Sequence, residues 1–184
     1  MLPITLELRG QPAVVFGAGE VGCRRAAQLV AEGARVRLIA TEIRATPPAG
    51  LDDLLNRPYR RGDLAGFAIA VAAIGDDEVN DAIYAEATET STLLNVVDDP
   101  IRSSFYFPAV HRAGEVTVAV STEGAAPALA AFLRNRIAAT LPSNLAEVSA
   151  TLRAERRSFH ERGISTELID WSERIDALLG AHRD

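Results

Sequence analysis

The sequence contains no lysine, and all 19 of its basic residues are arginine. This absence excludes Schiff-base chemistry, a nucleotide-binding P-loop and dehydrogenases that depend on a Tyr-x-x-x-Lys pair. Cys23 is the single cysteine, which excludes an internal disulfide or a multi-cysteine metal site and is typical of a reducing compartment. Histidine is also scarce, and because His111, His160 and His182 occupy unrelated contexts, we do not expect metal catalysis by conventional ligands.

Long apolar runs and an excess of positive charge are missing as well. No apolar stretch approaches the ~20 residues that cross a bilayer, and no signal-like segment opens the chain, so we expect a cytoplasmic protein with no membrane partner. The 25 acidic and 19 basic residues give a net charge of −6, which argues against nucleic acid as a partner. A length of 184 residues fits one full domain and a smaller appendage.

Residues 12–97 alternate short apolar runs with helical stretches, a pattern that predicts a parallel sheet covered by helices. The predicted fold class is therefore α/β, a Rossmann-like doubly wound sheet. Four of the expected strands are placed at residues 12–16, 35–40, 67–74 and 92–97. Residues 92–97 are expected to close the unit as its fifth strand. The expected helices are residues 24–32 and 76–90, and residues 41–50 are expected to form a loop.

After Pro100 the pattern changes to a small α+β segment followed by a helical tail. The expected strands are residues 104–110 and 115–121, and the expected helices are residues 127–141 and 144–162. Ser165 is expected to cap a third helix, which carries an apolar stripe of Leu168, Trp171, Ile175 and Leu178.

These later elements are too few to bury a large core by themselves. Strands with open edges and an apolar helix stripe gain most from a second subunit, so we predict a homodimer formed through this half. We expect a Rossmann domain at residues 1–112, a dimerisation segment at 113–142 and a helical region at 143–184.

A glycine-rich turn, Gly17-Ala18-Gly19-Glu20-Val21-Gly22, stands between the first expected strand and helix. In this pattern the first glycine makes a tight turn, the second lets the backbone approach a pyrophosphate, and the third allows close packing of helix and strand. We therefore predict that these six residues bind a nicotinamide dinucleotide. The alternative is a glycine turn that only packs.

The end of the second strand bears on the choice between NAD and NADP. An acidic residue there would bind the adenosine ribose of NAD, whereas an arginine would suit the 2′-phosphate of NADP. Thr41 and Glu42 follow the expected strand, with Glu42 at the right distance beyond Gly22, and Arg44 comes two residues later. We favour NAD as the cofactor, with NADP as the alternative.

The segment Asn95-Val96-Val97-Asp98-Asp99-Pro100 places two acids at the carboxyl end of a strand, where open α/β sheets bind their ligands. Neighbouring side chains of an extended chain point in opposite directions, and Pro100 holds Asp99 extended. Asp98 is therefore the candidate acid, able to accept a proton or to assist a metal. The alternative is a turn that merely links two domains.

A second polar turn, Ser121-Thr122-Glu123-Gly124, joins an expected strand to a helix. Its hydroxyls and amides are candidates for binding an anionic group at the helix start, although Ser121 and Thr122 could equally serve only to shape the turn. Arg24 and Arg112 are among the arginines that flank these segments, and they are candidates for meeting carboxylates.

Taken together, these segments resemble the precorrin-2 dehydrogenase/sirohydrochlorin ferrochelatase family, which includes the amino-terminal half of siroheme synthase. The resemblance runs from Leu2 to about Pro142. It is carried by an ordered series: Leu2-Pro3-Ile4, Leu8-Arg9-Gly10, the glycine turn with Arg24-Arg25-Ala26, Asp76-Asp77-Glu78-Val79-Asn80, residues 95–100, residues 105–108, and Val118-Ala119-Val120-Ser121-Thr122-x-Gly124-x-x-Pro127.

The resemblance implies an NAD-dependent oxidation of precorrin-2 to sirohydrochlorin by a homodimer. It implies that Asp98 accepts a proton and, if the chain is also a ferrochelatase, takes part in metal insertion. It also implies a substrate that carries many carboxylates, and these would be bound by Ser121, Thr122, Gly124, Arg24 and Arg112. It also implies that Ile74 lies near the cofactor, where the family usually has a threonine. The alternative function is a dimeric module that senses NAD(H) without chemistry.

Overall fold

The computed structural model describes residues 2–180. His182 and the last four residues of the expected helical region therefore lie outside the described part of the chain. The chain divides into two compact units, the first ending at Tyr106 and the second beginning at Phe107. The three-part division of the chain stays a prediction. Within residues 2–180, no helix is long and apolar enough to cross a membrane.

Over residues 2–106, the first unit is a parallel five-stranded sheet with two helices, which confirms the predicted Rossmann-like α/β class. The strands follow the order β3-β2-β1-β4-β5 across the sheet. The elements are β1 Pro12–Ala18, α1 Glu20–Ala31, β2 Arg35–Ile43, β3 Asp53–Asn56, β4 Ile69–Ala72, α2 Asp77–Thr90 and β5 Leu93–Val96.

The central strands form because their apolar side chains are covered on both faces. Val14, Val15 and Phe16 of β1 are fully buried, as are Val71 and Ala72 of β4. A strand of a parallel sheet that is covered on both faces reads as a continuous apolar run. In this order β1 lies at the centre and pairs with both β2 and β4, so the turn after β1 opens at the middle of the carboxyl edge.

Several element boundaries differ from the sequence expectation. The strand β2 continues to Ile43, which pairs with Ala18 across an irregularity in β1, so the expected loop from Thr41 begins only at Arg44. The helix α1 begins at Glu20, four residues earlier than expected. Residues 67–74 form a strand only over Ile69–Ala72.

The sequence analysis did not locate β3. This strand pairs with β2 alone at the edge of the sheet, and half of its side chains are exposed, so it lacks the continuous apolar run that marks the central strands.

A buried carboxylate anchors the loop that leads into β4. Glu86 on α2 is 3% exposed, and its Oε1 accepts hydrogen bonds from the backbone N–H groups of Gly62 and Leu64 at 3.0 and 2.9 Å. The Tyr59 hydroxyl donates to the same carboxylate at 2.6 Å. Burial, together with this hydrogen bond, raises the pKa of Tyr59. The carboxylate therefore has the partners that a buried charge requires.

Over residues 107–180, the second unit contains a two-stranded antiparallel sheet and three helices. Its elements are β6 Ala109–Ala113, β7 Val116–Val120, α3 Pro127–Ala138, α4 Leu145–Glu161 and α5 Ser172–Gly180. The expected strand at 104–110 was placed too early, because Ser104 instead bonds to Leu94 at the edge of β5.

The predicted cap of the last helix is wrong. The helix α5 begins at Ser172, whose N–H donates to the Asp170 carboxylate at 2.9 Å, whereas the Ser165 hydroxyl accepts from the Glu167 N–H within a local turn at 3.4 Å. Leu168 is 98% exposed and does not join the expected apolar stripe. Trp171 does pack, edge-on against Phe159 of α4 with ring centres 5.9 Å apart.

Candidate functional site

The turn between β1 and α1 is tightly packed at both ends and open in the middle. Gly17 has φ +98°, and a Cβ at this position would lie 2.3 Å from the carbonyl oxygen of Ala73. A Cβ at Gly22 would lie 1.9 Å from the carbonyl oxygen of Gly17. At Gly19, among the residues that the structure describes, a Cβ would meet no atom within 4 Å. The open position immediately precedes α1, where backbone N–H groups attract phosphate.

The end of β2 lies against this turn. The N–H groups of Arg44 and Ala45 donate to the carbonyl oxygen of Ala18 at 2.9 and 3.1 Å. Thr41 and Glu42 are exposed strand residues rather than loop residues. The Arg44 guanidinium donates to the Glu42 carboxylate at 2.8 Å, and both side chains are exposed. Glu42 and Arg44 therefore form one ion pair beside the turn.

A cleft of about 600 Å³ opens at the carboxyl edge of the sheet in the first unit. The glycine turn contributes Val21 to its wall, the segment after β4 contributes Ile74, and the segment after β5 contributes Asp98. The structure thus brings together three of the candidate residues. Thr41 and Glu42 lie outside this lining, as does Arg24, which is exposed on α1.

The two neighbouring acids of the cleft have different surroundings. Asp98 is exposed and has φ +60°, the left-handed conformation that Asp and Asn tolerate better than most residues. Within residues 2–180, the Asp98 carboxylate has no hydrogen bond or ion pair to protein. The Asp99 carboxylate accepts hydrogen bonds from the N–H groups of Ile101 and Arg102, both at 3.0 Å. Asp99 therefore shapes the turn and leaves Asp98 available in the cleft.

Arg102 holds this turn to α2. Its guanidinium bonds to Asp99, lies 2.7 Å from a carboxylate oxygen of Asp81 and lies 3.7 Å from one of Asp77. Hydrogen bonds to Asp81 and Asp99 raise the pKa of Arg102, and hydrogen bonds from the Arg102 backbone and side chain lower the pKa of Asp99. Arg102 was not singled out as a site residue from the sequence, although its spacing of three from Asp99 is a signal that could have identified this local pair.

Ser103 fastens the same turn to the edge of β5. Its hydroxyl accepts a hydrogen bond from the Val96 N–H at 3.0 Å and lies 2.6 Å from the carbonyl oxygen of Asp99. Together with Ser104, it satisfies edge N–H groups of β5 that would otherwise remain unpaired. The chain around Asp98 is therefore braced by hydrogen bonds on both sides.

Asp99→Asn is expected to reduce stability at neutral pH and to have little effect in acid. The folded-state pKa of Asp99 is depressed below its ordinary value, so its stabilisation is present above about pH 4 and is lost as the pH falls through the lower folded pKa. Thermal unfolding from pH 7 to pH 3 should show a difference in Tm between wild type and variant that closes as the pH falls.

The exposed Asp52 provides the control for this measurement, because Asp52→Asn also removes one surface carboxylate. A difference for Asp99→Asn that did not change with pH would contradict the assigned role of the ionised carboxylate.

The candidate substrate-binding residues of the second unit lie on β6 and on the turn that leads into α3. Arg112 is exposed on β6. The Ser121 hydroxyl accepts from the Glu123 N–H at 3.2 Å, and the Thr122 hydroxyl accepts from the Ala126 N–H at 3.1 Å. Gly124 has φ +81°. Both hydroxyls thus shape the turn, and a role for them in binding substrate stays a prediction.

Metal ligation was assigned to Asp98 in case the chain inserts a metal. Across residues 2–180, the structure groups no three His, Cys, Asp or Glu side chains in a way that could hold a metal ion. Asp98 as a metal ligand therefore stays a prediction of the sequence resemblance.

The sheet order, the glycine turn and the cleft define a dinucleotide-binding protein of the Rossmann class. A family model described as NAD(P)-binding matches residues 4–109, and one described as sirohaem biosynthesis protein central matches residues 114–140. The first match confirms the predicted class of cofactor. The chain belongs to the family of this NAD(P)-binding model, which matches more than half of its length, and it is similar to siroheme synthases, several of which are more than 30% identical to it.

Two relatives and one solved structure illustrate this likeness. Siroheme synthase 2 of Aeromonas hydrophila is 36% identical over 183 residues, covering 91% of this chain and 39% of that protein. Siroheme synthase of Ectopseudomonas mendocina is 39% identical over 150 residues, covering 80% of this chain and 32% of that protein. This chain therefore spans less than half of these relatives.

The structure of SirC, a precorrin-2 dehydrogenase, aligns with a TM-score of 0.70 and 22% identity, covering 100% of this chain and 90% of that one. This likeness concerns the fold.

Proposed function

We propose that the chain is an NAD-dependent precorrin-2 dehydrogenase that forms sirohydrochlorin. The observation that carries the proposal is the Asp98 carboxylate, which lies unpaired among the described residues on the wall of the cleft that Val21 of the glycine turn also lines. A proton acceptor therefore stands beside the turn that binds the dinucleotide. The likeness to siroheme synthases and to the fold of a precorrin-2 dehydrogenase supports the same activity.

The reaction removes two hydrogen atoms from the substrate. One leaves as a hydride, which NAD accepts at its nicotinamide ring when bound, and the other leaves as a proton, which Asp98 accepts. The products are sirohydrochlorin, NADH and a proton, so the electrons and charges balance. Asp98 is suited to this role because Asp99 is already bonded to Arg102 and to the turn backbone.

Precorrin-2 carries many carboxylates, and we assign their binding to Arg24, Arg112 and the turn from Ser121 to Gly124. Guanidinium groups and backbone amides are the donors that carboxylates prefer. Both arginines are exposed in the structure. The chelatase activity implied by the sequence resemblance stays a prediction.

Anaerobic turnover of precorrin-2 by the purified protein with NAD tests this function. NADH and sirohydrochlorin should appear together and in equal amounts. Folded protein that binds NADH but produces neither compound, with NAD or with NADP, would overturn the enzyme assignment. That result would favour the module that senses NAD(H).

We assign the cofactor as NAD, because Glu42 stands at the end of β2 where the adenosine ribose is bound in this fold. Glu42→Gln is expected to lower the ratio of kcat/KM for NAD to that for NADP by about tenfold, since a hydrogen bond to a charged group is lost. Steady-state kinetics with both cofactors would measure the ratio. Arg44→Gln is the matched control, and it should not lower the use of NAD. An unchanged ratio in Glu42→Gln would show that Glu42 does not contact the ribose.

We propose a homodimer formed through the second unit. Its helix α3 exposes Leu129, Phe132, Leu133 and Ile137 along one face, with Phe132 56% exposed. Such a stripe is buried against a partner in most soluble proteins. Wild type should sediment as a dimer at micromolar concentration and Phe132→Asp as a folded monomer, whereas a monomeric wild type would contradict the assignment.

A cytoplasmic location and the lack of nucleic-acid or membrane partners stay predictions from composition.

A further inference from the structure

One buried polar atom on the wall of the cleft has no partner in the described part of the chain. Asn80, in the first turn of α2, is 6% exposed and lines the cleft. Its Nδ2 donates to the carbonyl oxygen of Ile74 at 3.1 Å. Its Oδ1 is buried and makes no hydrogen bond within residues 2–180.

The orientation of this amide is set by its neighbour. If the amide were reversed, Oδ1 would face the Ile74 carbonyl oxygen, and two hydrogen-bond acceptors would be in contact. The bond from Nδ2 to Ile74 therefore fixes Oδ1 as an acceptor that still needs a donor. Buried polar groups in native proteins almost always have a partner, so an unsatisfied one calls for an explanation at a binding site.

The other polar side chains of the cleft do not supply that donor. Asp77, Asp98 and Asp99, which also line it, carry carboxylates, and ionised carboxylates only accept hydrogen bonds. A ligand that presents O–H or N–H groups would satisfy Oδ1. The nicotinamide nucleoside half of NAD offers such donors in its ribose hydroxyls and its carboxamide.

We infer that Asn80 Oδ1 accepts a hydrogen bond from the nicotinamide nucleoside half of the bound dinucleotide. The inference rests on the cofactor of the proposed function and adds a residue to its site. Asn80 acts as a positioning residue, because Ile74 holds its amide and its amide in turn orients the nicotinamide half. Ile74 itself lines the cleft, so the backbone after β4 and the helix α2 jointly position the ligand.

Calorimetric titration of wild type and Asn80→Ala with NAD, ADP-ribose and ADP tests this inference. We expect the variant to bind NAD about tenfold more weakly, in line with the loss of one buried hydrogen bond. Binding of ADP, which lacks the whole nicotinamide nucleoside, should be unchanged. Asn80→Ser serves as a second variant if Asn80→Ala does not fold, because its shorter side chain also withdraws Oδ1.

The fragments distinguish the two possible donors. If ADP-ribose loses affinity as NAD does, the donor is a ribose hydroxyl. If ADP-ribose binds wild type and variant alike, the donor is the carboxamide. The acetylpyridine analogue of NAD, in which a methyl ketone replaces the carboxamide, should then bind both proteins equally.

Equal affinity of wild type and variant for NAD would overturn the inference. An equal loss of affinity for ADP would also overturn it, because the substitution would then have damaged the site as a whole. Wild type that binds NAD but does not oxidise precorrin-2 would instead overturn the proposed reaction and leave the role of Asn80 intact.

Discussion

Asp98→Asn is expected to lower kcat for precorrin-2 oxidation by about 10²–10⁴-fold, the usual contribution of a positioned proton acceptor. Asparagine keeps the size of the side chain and tolerates the left-handed conformation at φ +60°, so the turn should be preserved. The amide cannot accept a proton in the reaction. Affinity for NAD should therefore change little while kcat falls, and stopped-flow detection of NADH would measure the loss.

The neighbouring acid supplies the control for this experiment. Asp99→Asn removes a carboxylate of the same size that is bonded to Arg102, and it should lower Tm while retaining most of kcat. Near-normal kcat in Asp98→Asn would mean that another group accepts the proton. A fall in Tm without a fall in kcat would mean that Asp98 is only a structural residue of the turn.

Gly22→Ala is expected to abolish NAD binding and to lower Tm by roughly 10 °C, the effect of about 2–3 kcal/mol on a domain of this size. The added Cβ would lie 1.9 Å from the carbonyl oxygen of Gly17. Because the carbonyl group of Gly17 belongs to the backbone, no side chain can move to relieve the overlap, and α1 must shift away from β1. Calorimetric unfolding and NAD titration would measure the two effects.

Gly19→Ala separates cofactor binding from folding. In the described chain its Cβ meets no atom within 4 Å, and φ −81° suits alanine, so Tm should change by no more than about 2 °C. The methyl group would occupy the space through which a pyrophosphate approaches the helix, so affinity for NAD should fall at least about tenfold. Unchanged affinity would show that the phosphates bind elsewhere.

The elements that the sequence predicts best are those whose burial is uniform. Residues 12–16 form a continuous apolar run and lie in β1, and residues 35–40 carry the buried apolar side chains of Val36 and Leu38 to Ala40 and lie in β2. Their ends were misplaced because the last residues of a strand are set by pairing with a neighbour, as Ile43 pairs with Ala18. The strand β3 was not located because its edge position leaves half of its side chains exposed.

The candidate site likewise contains residues that the sequence predicted and residues that only the fold revealed. The glycine turn was predicted from spacing, because Gly17 and Gly22 meet steric demands of the surrounding strand and helix and Gly19 leaves the start of the helix open. Asn80 ends one of the segments that carry the family resemblance, but neither Asn80 nor Ser103 was singled out as a site residue, because the local sequence does not show which groups the fold brings to them. Their importance depends on Ile74 and Val96, residues that only the fold brings alongside.

By itself, the sequence determined the α/β class, the glycine turn between β1 and α1 and the placement of an acid after the last strand of the first unit. These features follow from periodicity and from the geometry of a few consecutive residues, which are local properties of the chain. Only the tertiary structure decided that Arg102 engages Asp99 while Asp98 stays unpaired among the described residues, and that Asn80 Oδ1 is buried without a partner among them. The physical reason is that hydrogen bonding and burial depend on groups from separate elements, which meet only when the sheet and α2 have packed.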